Sequence, residues 1–231
     1  MFTAAVLPVL ALLVIWSVFL IGHAYRLNLA RSGLVPRDTL GAVGILTAPF
    51  LHGDLDHLFN NSVALFVLGW CLQYFYPKAA LRVTLAVWLL GGFGVWLTAR
   101  PEHHIGASGI VYGFASFLFF SGVIRRQRTL MAVSLLMVFL YGSMVWGILP
   151  VMAWLSWESH LWGGIIGAAM AWSLRAVEPA HLPRPIVFEE EDALANGEGV
   201  PGTGSRAETE PPLPPPPGAW PNDRHTDSTL L

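Results

Sequence analysis

Two side chains in this 231-residue chain are of the types needed for acyl-transfer chemistry, and each stands where an apolar stretch begins. Ser108 lies in Gly106-Ala107-Ser108-Gly109, and His160 in Trp157-Glu158-Ser159-His160. A serine hydroxyl is a poor nucleophile until a nearby base takes its proton, and histidine is the usual base. A third set lies upstream in His52-Gly53-Asp54-Leu55-Asp56-His57-Leu58-Phe59-Asn60-Asn61. There His57 and Asn61 stand at i and i+4, so on a helix they project from one face as two neutral donors at its entrance. Polar side chains are costly in hydrocarbon, so a donor pair at the mouth of a span either serves a purpose or bonds the neighbouring loop backbone.

The elements that must carry these residues are membrane helices. Hydrophobic residues make up 54% of the chain and charged residues only 12%, about half the charge of a soluble domain. Apolar stretches approaching the ~20 residues needed to cross a bilayer run over 2–22, 58–76, 83–99, 105–124 and 129–149, with a shorter one over 160–174. The spacing predicts an all-α membrane protein with six transmembrane helices. The first stretch is longer than the ~7–15 apolar residues of a signal peptide and has no basic residue before it, so it reads as a retained helix. The single cysteine, Cys71, allows no internal disulfide and reads as a packing residue.

With six spans both termini share one side. Lys78, Arg82, Arg125, Arg126, Arg128 and Arg175 flank that side, and Arg26, Arg31, Arg37 and Arg100 flank the other. The basic excess places both termini in the cytoplasm and the loops before Ser108 and His160 outside. The six-helix domain is expected over residues 1–176. Over 177–231 the composition changes: 11 of the 17 prolines lie there, with Glu189-Glu190-Glu191-Asp192 and Pro214-Pro215-Pro216-Pro217. This segment reads as a disordered cytoplasmic tail, with a proline-rich ligand for an unknown partner as the sharper alternative. The net charge of -2 and the lack of an aromatic-basic motif argue against a nucleic-acid partner.

Helix geometry brings the two reactive residues together. The fourth helix is expected to run from Ser108 to Ile124, 17 residues or roughly 25 Å, less than a ~30 Å hydrocarbon core. Ser108 should therefore lie below the outer surface, where the N–H groups and partial positive charge of a helix N-terminus favour an oxyanion. Gly106 leaves room for substrate backbone, and Tyr112 lies one turn on from Ser108. His160-x-x-Gly163-x-x-x-Gly167 makes a small face on the last helix, matched by Gly109-x-x-x-Gly113 on the fourth. Such faces permit close approach, which brings the Ser108 and His160 ends to one depth.

Absences narrow the chemistry. All acidic residues are expected in loops or tail, which leaves no intramembrane aspartate pair; no His-Glu-x-x-His zinc motif occurs; and the only lysine, Lys78, lies on the opposite side from Ser108. A serine–histidine dyad remains. Glu158 projects about 200° from His160 around a helix and is a poor third member.

Taken together, these residues resemble the rhomboid intramembrane serine proteases. The likeness rests on His52-x4-His57-x3-Asn61, Gly106-x-Ser108-Gly109 with Tyr112, and His160-x-x-Gly163-x-x-x-Gly167, in order on the second, fourth and sixth spans. It covers residues 1–176. The resemblance implies that Ser108 is the nucleophile and His160 the general base. It also implies that His57, Asn61 and the Ser108 N–H hold the oxyanion, that Tyr112 stacks on His160, that no cofactor is used, and that the substrate is a transmembrane protein in a bacterial cell membrane. The outer loop departs from some bacterial members in lacking a Trp-Arg pair, and there is no seventh span. Two other classes stay open: a proteolytically silent relative acting as a membrane chaperone or dislocation factor, and a transporter using His52, His57, His103, His104 and His160.

Overall fold

The computed structural model describes residues 2–126, 128–140, 147–149 and 156–180. Among the described residues six long helices carry the fold: α1 (Phe2–Ala24), α2 (Leu55–Phe75), α3 (Ala80–Thr98), α4 (Ser108–Ile124), α5 (Arg128–Leu140) and α6 (Trp157–Ser173). No strand forms among the described residues beyond a single bridge between Leu34 and His104. Helices α1, α2 and α3 are long and apolar enough to cross a membrane. Helix α4 is apolar but shorter, and most of 141–149, the second half of the expected fifth span, lies outside the described residues.

Helix α4 is central, packed against α2, α3, α5 and α6, while α1 leans mainly on α2. The core between them holds Leu58, Leu68, Leu72, Val83, Phe117 and Leu118, all fully buried. Leu13 and Leu20 on α1 and Leu81 and Leu90 on α3 point outward and are exposed, the apolar perimeter a bilayer requires. The Trp16 indole N–H on α1 donates to Ser62 Oγ on α2 at 3.0 Å, so the outermost helix is tied to the turn that carries Asn61.

Local chemistry sets the helix ends. Asp54 caps α2 in an extended conformation and its carboxylate accepts the His57 N–H at 2.7 Å, meeting one of the orphan donors of a helix start. The helix therefore begins at Leu55, three residues before the apolar run. Helix α6 begins at Trp157, ahead of the apolar run over 160–174, and Ser156 at its N-cap makes no side-chain cap bond. Two acidic residues expected in loops are thereby corrected: Asp56 and Glu158 lie in the first turns of α2 and α6, where the helix dipole favours negative charge.

The segment between α1 and α2 is also more ordered than a plain loop. It forms helical turns at Leu29–Ser32, Gly41–Val43, Gly44–Thr47 and Ala48–Phe50. At the opposite end, the Arg125 guanidinium donates to the carbonyls of Leu174 at 2.8 Å and Val177 at 3.0 Å. The Ala180 N–H donates to Phe75 O at 2.6 Å. The described chain thus stays attached to the helices as far as residue 180, and the rest of the expected 177–231 tail lies outside the described residues.

Candidate active site

Ser108 is the first residue of α4, reached through a backbone that only glycine adopts freely. Gly106 has φ +106° and its N–H donates to Ala48 O at 2.9 Å, which turns the chain sharply into the helix. At the start of α6, the His160 ring is buried, with Nε2 2.7 Å from Ser108 Oγ and Nδ1 2.8 Å from the Gly147 carbonyl oxygen. A carbonyl can only accept, so Nδ1 carries the proton. In the neutral ring Nε2 is then free to accept from the Ser108 hydroxyl. The Tyr112 ring lies parallel to the imidazole, 9° apart in plane and 4.1 Å between centroids, and fixes its tilt.

The approach of α4 and α6 is a backbone contact. A Cβ on Gly163 would collide with the carbonyl oxygen of Gly109, and one on Gly167 with that of Gly113. Nothing larger than hydrogen fits between the helices at those two levels. Ser116 Oγ adds a 2.7 Å bond to Gly164 O further along.

Facing Ser108, His57 and Asn61 converge on Gly106. A Cβ placed there would lie 2.7 Å from His57 Nε2 and 3.4 Å from Asn61 Nδ2, so the glycine keeps open the space between the donors and the serine. Asn61 is buried and Asn60 is exposed.

Sequence reasoning left His52 out of the site. The Asn61 amide lies 3.1 Å from His52 Nε2, and the His52 and His57 rings meet edge to face at 5.0 Å. The amide nitrogen donates, so His52 is protonated on Nδ1, a buried atom without a hydrogen-bond partner among the described residues. Burial, with the neighbouring His57, lowers the His52 pKa to about 4, which keeps the ring neutral and accepting. The signal lay in the motif itself, but His52 precedes the α2 cap, where helix-face reasoning does not reach. A cleft of about 600 Å³ opens beside it, lined by Phe19, His23, Arg26, Asn28, His52 and Gly53.

The His160 ring bonds the Gly147 carbonyl and Ser108, and Glu158 turns elsewhere. Its carboxylate receives the Arg100 guanidinium at 2.6 Å and 3.2 Å. His103 and His104 join no group of three potential metal ligands among the described residues.

A Rhomboid domain matches residues 40–177, more than half of the chain, a range that includes His52, His57, Asn61, Ser108, Tyr112 and His160. The chain belongs to the rhomboid family. Uncharacterized proteins of Mycobacterium tuberculosis and Mycobacterium bovis are 34% identical to it over 173 residues, covering 71% of this chain and 72% of theirs. A Mycobacterium leprae protein, also uncharacterized, is 34% identical over 182 residues, 75% of this chain and 71% of its own. A Bacillus subtilis protein named "Putative rhomboid protease YdcA" is 28% identical over 108 residues, 42% of this chain and 54% of that one. With its apolar helices α1–α3, this rhomboid is an integral membrane protein.

Proposed function

We propose that this rhomboid is an intramembrane serine endopeptidase that cleaves transmembrane segments of other membrane proteins with Ser108 and His160. The observation that carries the reading is the 2.7 Å approach of Ser108 Oγ to His160 Nε2, with Nδ1 fixed on the Gly147 carbonyl. A substrate helix hydrogen-bonds its own carbonyls, so it must unwind locally before one can be attacked. His160 then takes the Ser108 proton as Oγ adds to the carbonyl carbon. The resulting oxyanion lies toward His57 Nε2, Asn61 Nδ2 and the N–H groups at the start of α4. His160 returns the proton to the leaving amine, and water, activated by the same base, hydrolyses the acyl-serine. Every step uses groups of the chain and water, without a cofactor.

His52 orients Asn61 in this scheme by accepting from its amide. The reading places six helices in a bacterial cell membrane over residues 1–176, with both termini in the cytoplasm and the 177–231 tail outside the enzyme proper. The mycobacterial and Bacillus relatives support the bacterial setting. The test is labelling by a serine-directed fluorophosphonate together with cleavage of a transmembrane substrate in liposomes. Wild type should label and cleave, while folded Ser108→Ala and His160→Ala should do neither. Full cleavage by either variant removes the dyad, and a folded wild type that neither labels nor cleaves favours the silent relative.

A further inference from the structure

The two reactive residues are approached by a polar network that the chemistry above leaves unused. Arg100 follows the end of α3 and opens the loop that delivers Ser108, and Glu158 lies two residues before His160. Between them run three bonds: Arg100 Nε to Glu158 Oε1 at 2.6 Å, Nη2 to Oε2 at 3.2 Å, and the Arg100 backbone N–H to Oε1 at 3.3 Å. The carboxylate is almost fully buried, and the guanidinium is about one-third exposed (5% and 33% side-chain exposure).

A second chain of bonds runs beside the first. His104 is buried; its Nε2 donates to Arg100 O at 3.0 Å, and its Nδ1 lies 2.6 Å from Ser156 Oγ. Ser156 Oγ is in turn 2.6 Å from Ser159 Oγ. The same loop is pinned to the outer segment by the reciprocal Leu34–His104 backbone bonds, 2.8 Å and 3.0 Å.

Glycine packing cannot do this work alone. The contacts of Gly163 and Gly167 with the Gly109 and Gly113 carbonyls fix how close α4 and α6 lie. Close-packed smooth faces still allow the helices to slide or rotate against each other. A 2.7 Å bond between Ser108 Oγ and His160 Nε2 requires both motions to be held. The imidazole has no carboxylate partner to orient it, since Nδ1 bonds a neutral carbonyl, so the position of the first turn of α6 passes directly to the ring.

We propose that Glu158, gripped by Arg100 and backed by the His104–Ser156–Ser159 chain, is a positioning residue that sets the approach of His160 to Ser108. It acts through the backbone of α6 and touches neither substrate nor the reacting atoms. The inference rests on the serine-protease reading. A carboxylate in the first turn of the base-bearing helix thus takes over alignment from the missing third member of a triad, by holding the helix instead of the ring.

The experiment uses the full chain in liposomes and compares wild type, Glu158→Gln, Arg100→Gln and the double variant. It measures kcat and KM for a transmembrane substrate, the rate of Ser108 labelling by a small fluorophosphonate, and the melting temperature. Glu158→Gln should lose kcat by ~10- to 100-fold, the scale of an ångström-level misplacement, with KM unchanged and labelling slowed in proportion. The double variant should be no slower than either single one, because the pair acts as a unit. A folded Glu158→Gln that labels and turns over like wild type overturns the inference and leaves the protease reading standing. A wild type that takes no fluorophosphonate overturns both. Should Glu158→Gln fail to fold, Ser156→Ala and His104→Gln carry the same measurement.

Discussion

Replacing Gly163 by alanine adds one methyl group at the contact that brings α4 and α6 together. That carbon would fall inside the envelope of the Gly109 carbonyl oxygen and only 2.9 Å from its carbonyl carbon. Ordinary contact returns only when α6 retreats by roughly 1.4 Å. The Ser108–His160 bond, now 2.7 Å, spans the same helix pair one turn away, so the retreat stretches it past the ~3.5 Å limit at which a hydrogen bond is lost. Turnover should fall ~100-fold, and overpacking should cost ~1–3 kcal/mol of stability. Gly164 is the internal control, because a Cβ there meets nothing within 4 Å. Gly164→Ala should keep turnover to within about two-fold, the range of a surface change. The assay compares both variants in the same liposomes by turnover per folded molecule, fluorophosphonate labelling rate and melting temperature. If Gly163→Ala cleaves, labels and melts like Gly164→Ala, the two helices do not depend on backbone contact and the reasoning fails.

Three further outcomes follow from the same geometry. His57→Ala and Asn61→Ala should each lower kcat by ~10- to 1000-fold, the upper end being the loss of one oxyanion donor, while exposed Asn60→Ala should change little; greater sensitivity at Asn60 would move the donor set by one residue. His52, with its pKa lowered from 6.5 to about 4 by burial, binds its proton more readily in the unfolded chain. Its contribution to stability is complete above pH 6.5 and lost as pH falls toward 4; His52→Gln should flatten that part of the melting-temperature profile, and an unchanged profile counts against the buried neutral ring. Truncation after Ala180 should leave proteolysis in liposomes intact, and a tenfold loss with folding preserved would make the tail part of the enzyme.

The helices were legible because their apolar runs are long, and α4 begins at Ser108 as expected, but the polar first turn of α2 was missed. Hydropathy passes over a polar first turn, and it is the first turn that capping makes polar. Asp54 ahead of Leu58 looks like a loop residue until the His57 N–H it accepts is counted, and Asp56 and Glu158 until the helix dipole is. The positions of Ser108, His57 and Asn61 could be placed from local spacing, since each argument spans one or two helical turns. His52 could not, lying outside the helix whose face it completes. The Arg100–Glu158 pair was equally hidden: 58 residues separate its members, and either charge alone reads as a solvated residue at a membrane surface. The Gly147 carbonyl that fixes the tautomer of His160 leaves no mark in a sequence, because any residue type offers one.

The glycines on these helices differ in what mutation can do with them. A Cβ on Gly94 would strike the Trp162 ring, and one on Gly113 would strike the Val87 side chain. A lineage that enlarges either glycine can recover by trimming the facing side chain. At Gly163 and Gly167 the obstacle is main chain, which no codon can shorten, and every replacement of glycine adds atoms. No second-site change in a facing side chain can then compensate. The helix pair bearing Ser108 and His160 is closed to stepwise redesign, while the packing of α3 around it remains free to drift.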